Sequence, residues 1–166
     1  MADIVTLIPD IHKLLVEGKE GVNEKHLKEF FNALREDINI FLSNDKRERT
    51  NNLRMSSIGK KDRKLWYDIN KGTQEELGGQ TLLKFFFGNL VESFLLLLVQ
   101  EAGHRVTDRQ KEVVVNGVKG HIDCKIDGVM VDVKSASDFA FKKFKNNTLH
   151  EDDPFGYVAQ LSGYIQ

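Results

Sequence analysis

A change of period at Gly103 restricts the fold more than any other feature of this chain. Before that glycine, apolar residues recur at helical spacing. After it, from Arg105 to Ala136, the chain is rich in valine and isoleucine and is interrupted by Asn116-Gly117 and Asp127-Gly128. Both dipeptides accept the left-handed backbone that closes tight hairpins, so three consecutive antiparallel strands are expected, roughly 105–115, 118–126 and 129–136. Upstream, Pro9 and Asp10 open a short helix carrying Ile11, Leu14 and Leu15, stopped near Gly18. Asn23 caps a longer helix whose apolar face holds Leu27, Phe30, Phe31, Leu34, Ile38 and Phe41. The polar stretch Ser43 to Asn52 reads as a linker. A third helix over Lys61 to Ile69, begun near Ser56 or Ser57, precedes a long one over roughly Thr81 to Ala102, which Gly103 ends as its C′ residue. That long helix is apolar on nearly every side, which predicts a place in the core. A short basic helix around Phe139 to Lys145 follows the strands, and a last helix opens at Asp153-Pro154.

The Asp127-Gly128 turn carries the chemistry. As a two-residue loop it pairs Ile126 with Val129, and counting outward sets Asp123 opposite Asp132 and His121 opposite Lys134. Alternation along strands then puts His121, Asp123 and Lys125 on one face with Met130, Asp132 and Lys134. The other face takes Ile122, Cys124, Ile126, Val129, Val131 and Val133, an apolar set. Two aspartates opposed across strands repel unless a cation or a proton lies between them. Mg²⁺ is held by one or two carboxylates together with phosphate oxygens, so the pair suits a divalent ion and a phosphodiester. A polar hairpin surface is the plainer alternative. Glu92 weighs against it as the only acid in the apolar run from Gln80 to Gln100. A carboxylate there is either solvent-facing or hydrogen-bonded, protonated or metal-bound. Gly88, one turn earlier, is expected to let another backbone approach closely.

Composition excludes several classes. A chain of 166 residues, 40% hydrophobic and 30% charged, can bury a core without staples. The single cysteine, Cys124, rules out an intramolecular disulfide and an all-cysteine zinc or iron–sulfur site. The histidines form no HExxH or paired zinc spacing, and no P-loop or dinucleotide-binding glycine pattern is present. The amino terminus has no basic stretch ahead of an apolar run, and the most apolar segment, Phe94 to Val99, is too short to span a bilayer, so a cytoplasmic protein without a membrane partner is expected. The net charge of −1 does not announce nucleic acid. Basic residues nevertheless cluster at Lys46, Arg47 and Arg49, at Lys60 to Lys64, and at Lys142, Lys143 and Lys145.

The run from Gly120 to Lys134 (GHIDCKIDGVMVDVK) resembles the RecB-like branch of the PD-(D/E)XK nucleases. Gly120 and Asp123 match its G-x-x-D, Asp132-Val133-Lys134 its acidic-x-lysine, Gln160 and Tyr164 its downstream Q-x-x-x-Y, and Glu92 the acid of its preceding helix. Leu53 to Tyr67 (LRMSSIGKKDRKLWY) is similar to the helical lead-in of phage exonucleases of that branch. The resemblance implies an α/β fold with a restriction-endonuclease-like core, a mixed central β-sheet with an antiparallel meander flanked by helices. That core spans 51–166, behind an N-terminal helical extension over 1–50. The chain stops just after the Q-x-x-x-Y helix, where many members continue with another strand, so truncation of the core is expected.

The function implied is a Mg²⁺- or Mn²⁺-dependent deoxyribonuclease leaving 5′-phosphates, an exonuclease more than an endonuclease, acting on DNA ends or single strands in the cytoplasm (the host's, if phage-encoded). Asp123, Asp132, Glu92 and the Val133 carbonyl would bind the metal, and Lys134 would orient or help deprotonate the attacking water. No iron–sulfur cluster is implied, because the four cysteines of some members are missing. Lys60 and Arg63 would hold phosphates and Trp66 or Tyr67 would stack on a base, although Trp66 could equally be core. Gln160 and Tyr164 share a helix face and would position DNA or buttress Lys134, with helix–sheet packing the alternative for Tyr164. A non-catalytic DNA-binding or assembly module, or an interaction domain unrelated to nucleic acid, are the competing readings. The oligomeric state is left open.

Overall fold

The computed structural model describes residues 3–43, 53–71 and 77–165. Most of the expected linker, and with it Lys46, Arg47 and Arg49, lies outside them. The described residues form a mixed α/β protein with helices α1 (Leu7–Glu17), α2 (Glu24–Leu42), α3 (Asp62–Asn70), α4 (Gly79–Glu101), α5 (Asp138–Lys145) and α6 (Tyr157–Ile165). Their strands are β1 (Val106–Thr107), β2 (Lys111–Val115), β3 (Val118–Ile122), β4 (Cys124–Ile126) and β5 (Val129–Val131). They divide into two compact units.

The first unit holds residues 3–43, Leu77–Arg109 and Asp123–Lys134. Here α1 starts at Leu7, so Pro9 sits within the first turn, where the missing N–H has no helical partner to lose. Gly18 ends the helix at φ 71°. The Asn23 side chain accepts from the Lys25 N–H and starts α2 as expected. Side-chain pairs run in opposite order along α2 and α4: Glu29 with Gln100, Phe30 with Phe94, Asp37 with Asn89 and Phe41 with Phe86, so the two helices pack antiparallel. Leu96 and Val99 of α4 form the core with Cys124 and Ile126, and Ile4, Leu7, Ile11, Val106 and Val131 pack around them. Each such buried aliphatic side chain is worth about 1.5–3 kcal/mol.

The second unit holds 53–71, Gln110–Ile122 and 135–165. A 3₁₀ turn at Met55–Ser57, the β2–β3 hairpin and α6 pack around buried Met55 and Tyr164. Ser56 and Ser57 belong to that turn and not to α3, which begins at Asp62. The Ser137 hydroxyl caps α5 through the Ala140 N–H, and Asp153 accepts from the Val158 N–H ahead of α6, which starts at Tyr157 and not at Asp153-Pro154.

Three expectations need correction. The single three-stranded meander is two small antiparallel sheets, β1-β4-β5 and β2-β3, because Asp108 and Gln110 adopt φ 52° and 49° and break the first long strand, while Asp123 leaves the ladder between β3 and β4. Among the described residues the one parallel pairing is the isolated bridge Arg54↔Lys119. Next, α4 is not buried throughout. Ser93, Leu96, Leu97 and Val99 are, while Phe85, Phe87 and Val91 are exposed and Phe94 is half exposed beside Phe30, since the small sheet covers only the C-terminal part of the helix. Finally, Phe94 to Val99 belongs to a helix that by length and composition alone is long and apolar enough to cross a bilayer.

Candidate active site

The site lies at the open end of the β4–β5 hairpin. Asp127 (φ 50°) and Gly128 (φ 87°) make the two-residue left-handed turn, and Ile126↔Val129, Lys125↔Met130 and Cys124↔Val131 pair in the expected register. Val129, beside the tip, is exposed and drops out of the expected apolar face. The ladder ends at Cys124 and Val131. Asp123 lies just before β4 and Asp132 just after β5, so their backbones are free of strand pairing while the register still sets them side by side. His121 pairs with Glu112 in the other sheet, and the expected partnership with Lys134 is not part of the ladder.

Both aspartate side chains are largely buried, 15% exposed for Asp123 and 13% for Asp132. Lys134 reaches back between them, its Nζ 2.7 Å from Asp132 Oδ1 and 3.8 Å from Asp123 Oδ2. The Val133 N–H donates to Asp123 Oδ2 at 2.7 Å. Burial pushes the Asp123 carboxyl up from its ordinary range. The Val133 N–H and the Lys134 charge oppose that rise, and the neighbouring Asp132 adds to it. One ammonium thus serves two carboxylates.

Beneath them Cys124 is fully buried. Its thiol is pushed up to about 11, first by burial and then by the negative charges of Asp123 and Glu92, so it is an inert core side chain. The same influence places Glu92, half-buried on α4, near this cluster. Arg109 also acts on Cys124, with the opposite sign. Sequence reasoning passed over that arginine because it falls in the break between β1 and β2, where no periodicity marks it. Gly88 contacts nothing at its Cβ position, so the expected close backbone approach is not made.

Asp123 and Asp132 suit a hard divalent ion, which needs one or two carboxylates beside water and phosphate oxygens, and a carboxyl biased toward its proton is one that a cation would relieve. Among the described residues no three His, Cys, Asp or Glu side chains converge as a ready-made metal cage.

The nucleic-acid candidates belong to the second unit. Lys60, Arg63, Trp66 and Tyr67 lie on or beside α3, with Trp66 and Tyr67 exposed, so Trp66 is not a core residue. Gln160 is half-buried on α6. Tyr164 is buried and donates its hydroxyl to the His121 carbonyl at 2.8 Å, which is the helix–sheet packing role.

A buried histidine–aspartate contact that the sequence did not reveal lies elsewhere in the first unit. His104 Nδ1 is 2.6 Å from Asp127 Oδ2, Asp127 Oδ1 accepts from the Arg105 N–H at 2.9 Å, and His104 Nε2 is 3.3 Å from Asp10 Oδ2 without hydrogen-bond alignment. Compared with known proteins, the chain matches no family model, no curated protein and no solved structure.

Proposed function

We propose that this protein is a metal-dependent deoxyribonuclease of the PD-(D/E)XK type, built on a restriction-endonuclease-like core of the RecB-like, phage exonuclease kind. One observation carries the reading: a lysine ammonium held between two part-buried carboxylates at the mouth of a hairpin, with Nζ 2.7 Å and 3.8 Å from them. Asp123 and Asp132 would hold Mg²⁺ or Mn²⁺, with Glu92 and the Val133 carbonyl as further ligands. The ion would acidify a water and offset charge building on the phosphate. Lys134 holds a proton at Nζ beside Asp132 and orients the incoming water, while the Val133 N–H fixes the Asp123 carboxylate so that its orientation costs nothing during the reaction. Cleavage would leave a 5′-phosphate. DNA ends or single strands are the preferred substrate, in the cytoplasm.

The test is end-labelled linear DNA and closed circular DNA incubated with Mg²⁺ or Mn²⁺, beside Asp132→Ala and Lys134→Ala. Degradation of linear DNA alone supports an exonuclease, and cutting of closed circles makes it an endonuclease. Equal activity in wild type and Asp132→Ala removes these residues from the mechanism. The absence of a three-ligand cage among the described residues favours one second reading, a non-catalytic DNA-binding or assembly module. Calorimetric titration separates the two, since a module without catalysis has no need to bind Mg²⁺ in the millimolar range.

A further inference from the structure

We propose that α3 is a stacking site for single-stranded DNA, centred on Trp66 and Tyr67. This inference rests on the nuclease reading for the identity of the polymer and narrows its strand state from ends or single strands to single strands. Large aromatic side chains that serve a core are covered, yet Trp66 is 52% and Tyr67 46% exposed. Their rings meet edge to face with centroids 5.2 Å apart, so each holds the other upright on the helix surface. Cations frame both rings: Lys71 Nζ is 6.0 Å from the Trp66 centroid and 5.9 Å from that of Tyr67, and the Arg63 guanidinium is 6.0 Å from the Tyr67 centroid. Lys61 and Lys64 add exposed positive charge on the same short helix and its cap. Of the two acids on α3, Asp68 lies 3.8 Å from Lys60, which leaves the patch positive.

Exposed rings beside lysines and arginine match what a single strand presents, an unstacked base face next to phosphates. A duplex offers no free base face to them. A lipid surface would attract the cations, but α3 carries polar or charged residues around its aromatic pair and lacks the broad apolar stripe that an interfacial helix buries.

Trp66 is the only tryptophan of the chain, so its emission reports the site directly. With metal removed by a chelator, the full-length protein is titrated with an oligothymidylate of about 16 nucleotides, the upper site size of comparable single-strand binders. Saturable quenching is expected, and a blunt duplex of equal length should quench weakly. By anisotropy of labelled oligothymidylate, Trp66→Ala should weaken binding by roughly tenfold to a hundredfold, and Trp66→Phe, which keeps an aromatic face, should restore most of it. Lys71→Ala should lower the slope of log affinity against log salt by about 0.7. No quenching, equal quenching by duplex, or unchanged binding in Trp66→Ala overturns the proposal. Quenching by phosphatidylserine vesicles in place of oligothymidylate also overturns it and assigns the patch to membranes. Single-strand binding without any cleavage leaves this inference standing and removes the nuclease; cleavage with no response at Trp66 does the reverse.

Discussion

The two ends of the β4–β5 hairpin hold the same residue type in opposite states. At the tip, burial alone would raise the Asp127 carboxyl, but the bonds from His104 and the Arg105 N–H bring it below its ordinary range. At the mouth, burial wins and Asp123 sits above that range despite the Val133 N–H and Lys134. Glu101 behaves like Asp127. It takes Lys19 at 2.7 Å, His26 at 2.6 Å and the Asn23 N–H, and these partners outweigh its burial. The structural acids are surrounded by donors. At the mouth, desolvation of Asp123 outweighs the Val133 N–H and Lys134, and a cation bound there would stabilise the ionised carboxylate.

The largest effect expected from that contrast is on catalysis. Asp132→Ala and Lys134→Ala should each lower the DNA cleavage rate by at least about a hundredfold in molecules that stay folded. Lys134→Ala should also lower the melting temperature, because it leaves two largely buried carboxylates without their ammonium. A comparable loss from a tip variant in molecules that remain folded would erase the distinction. Asp127→Ala should instead lower unfolding free energy by about 2–4 kcal/mol in chemical denaturation, because buried His104 loses its principal partner. Asp123→Asn should abolish cleavage yet raise the melting temperature at pH 7 by a few degrees, since it removes a charge that the fold holds at a cost.

The pH dependence has opposite signs at the two ends. Asp123, raised on folding, favours the native state in its protonated form, so the advantage of Asp123→Asn should fade as pH falls through the folded value. Asp127 and Glu101, both lowered, contribute fully above their unfolded values, and that contribution should be lost as pH falls through the folded ones. Melting curves of the wild type and Asp127→Asn across the acid range would show the second effect as a shallower decline in the variant. The smallest effect is metal-linked: millimolar Mg²⁺ should raise the wild-type melting temperature by about 1–2 °C and leave Asp132→Ala unmoved.

Local chemistry made much of this legible in the sequence. Asp127-Gly128 admits one tight turn, and that turn determines which residues face one another, so Asp123, Asp132 and Lys134 could be brought together from the residues alone. Asn23 and Gly103 marked helix ends because caps are local. What failed depended on partners distant in sequence. The break at Asp108 and Gln110 has no glycine to announce it. The exposure of Phe85 and Phe87 follows from how far the sheet reaches along α4, which periodicity does not encode. His104 carries no local signal, because its neighbours Asp10 and Asp127 come from α1 and the hairpin tip.

Gly120 and Tyr164 were read as parts of separate motifs, yet they meet in space. A methyl group on Gly120 would lie 2.4 Å from Met55 Cβ and 2.5 Å from the Tyr164 hydroxyl oxygen, so the strand accepts nothing larger than hydrogen there. Trimming Tyr164 to Phe would clear only one of those collisions, because the Met55 obstacle is main-chain-proximal. Any loss of activity on altering Tyr164 therefore reports first on this three-way joint, and a role in holding DNA has to be judged after the joint is known to be intact.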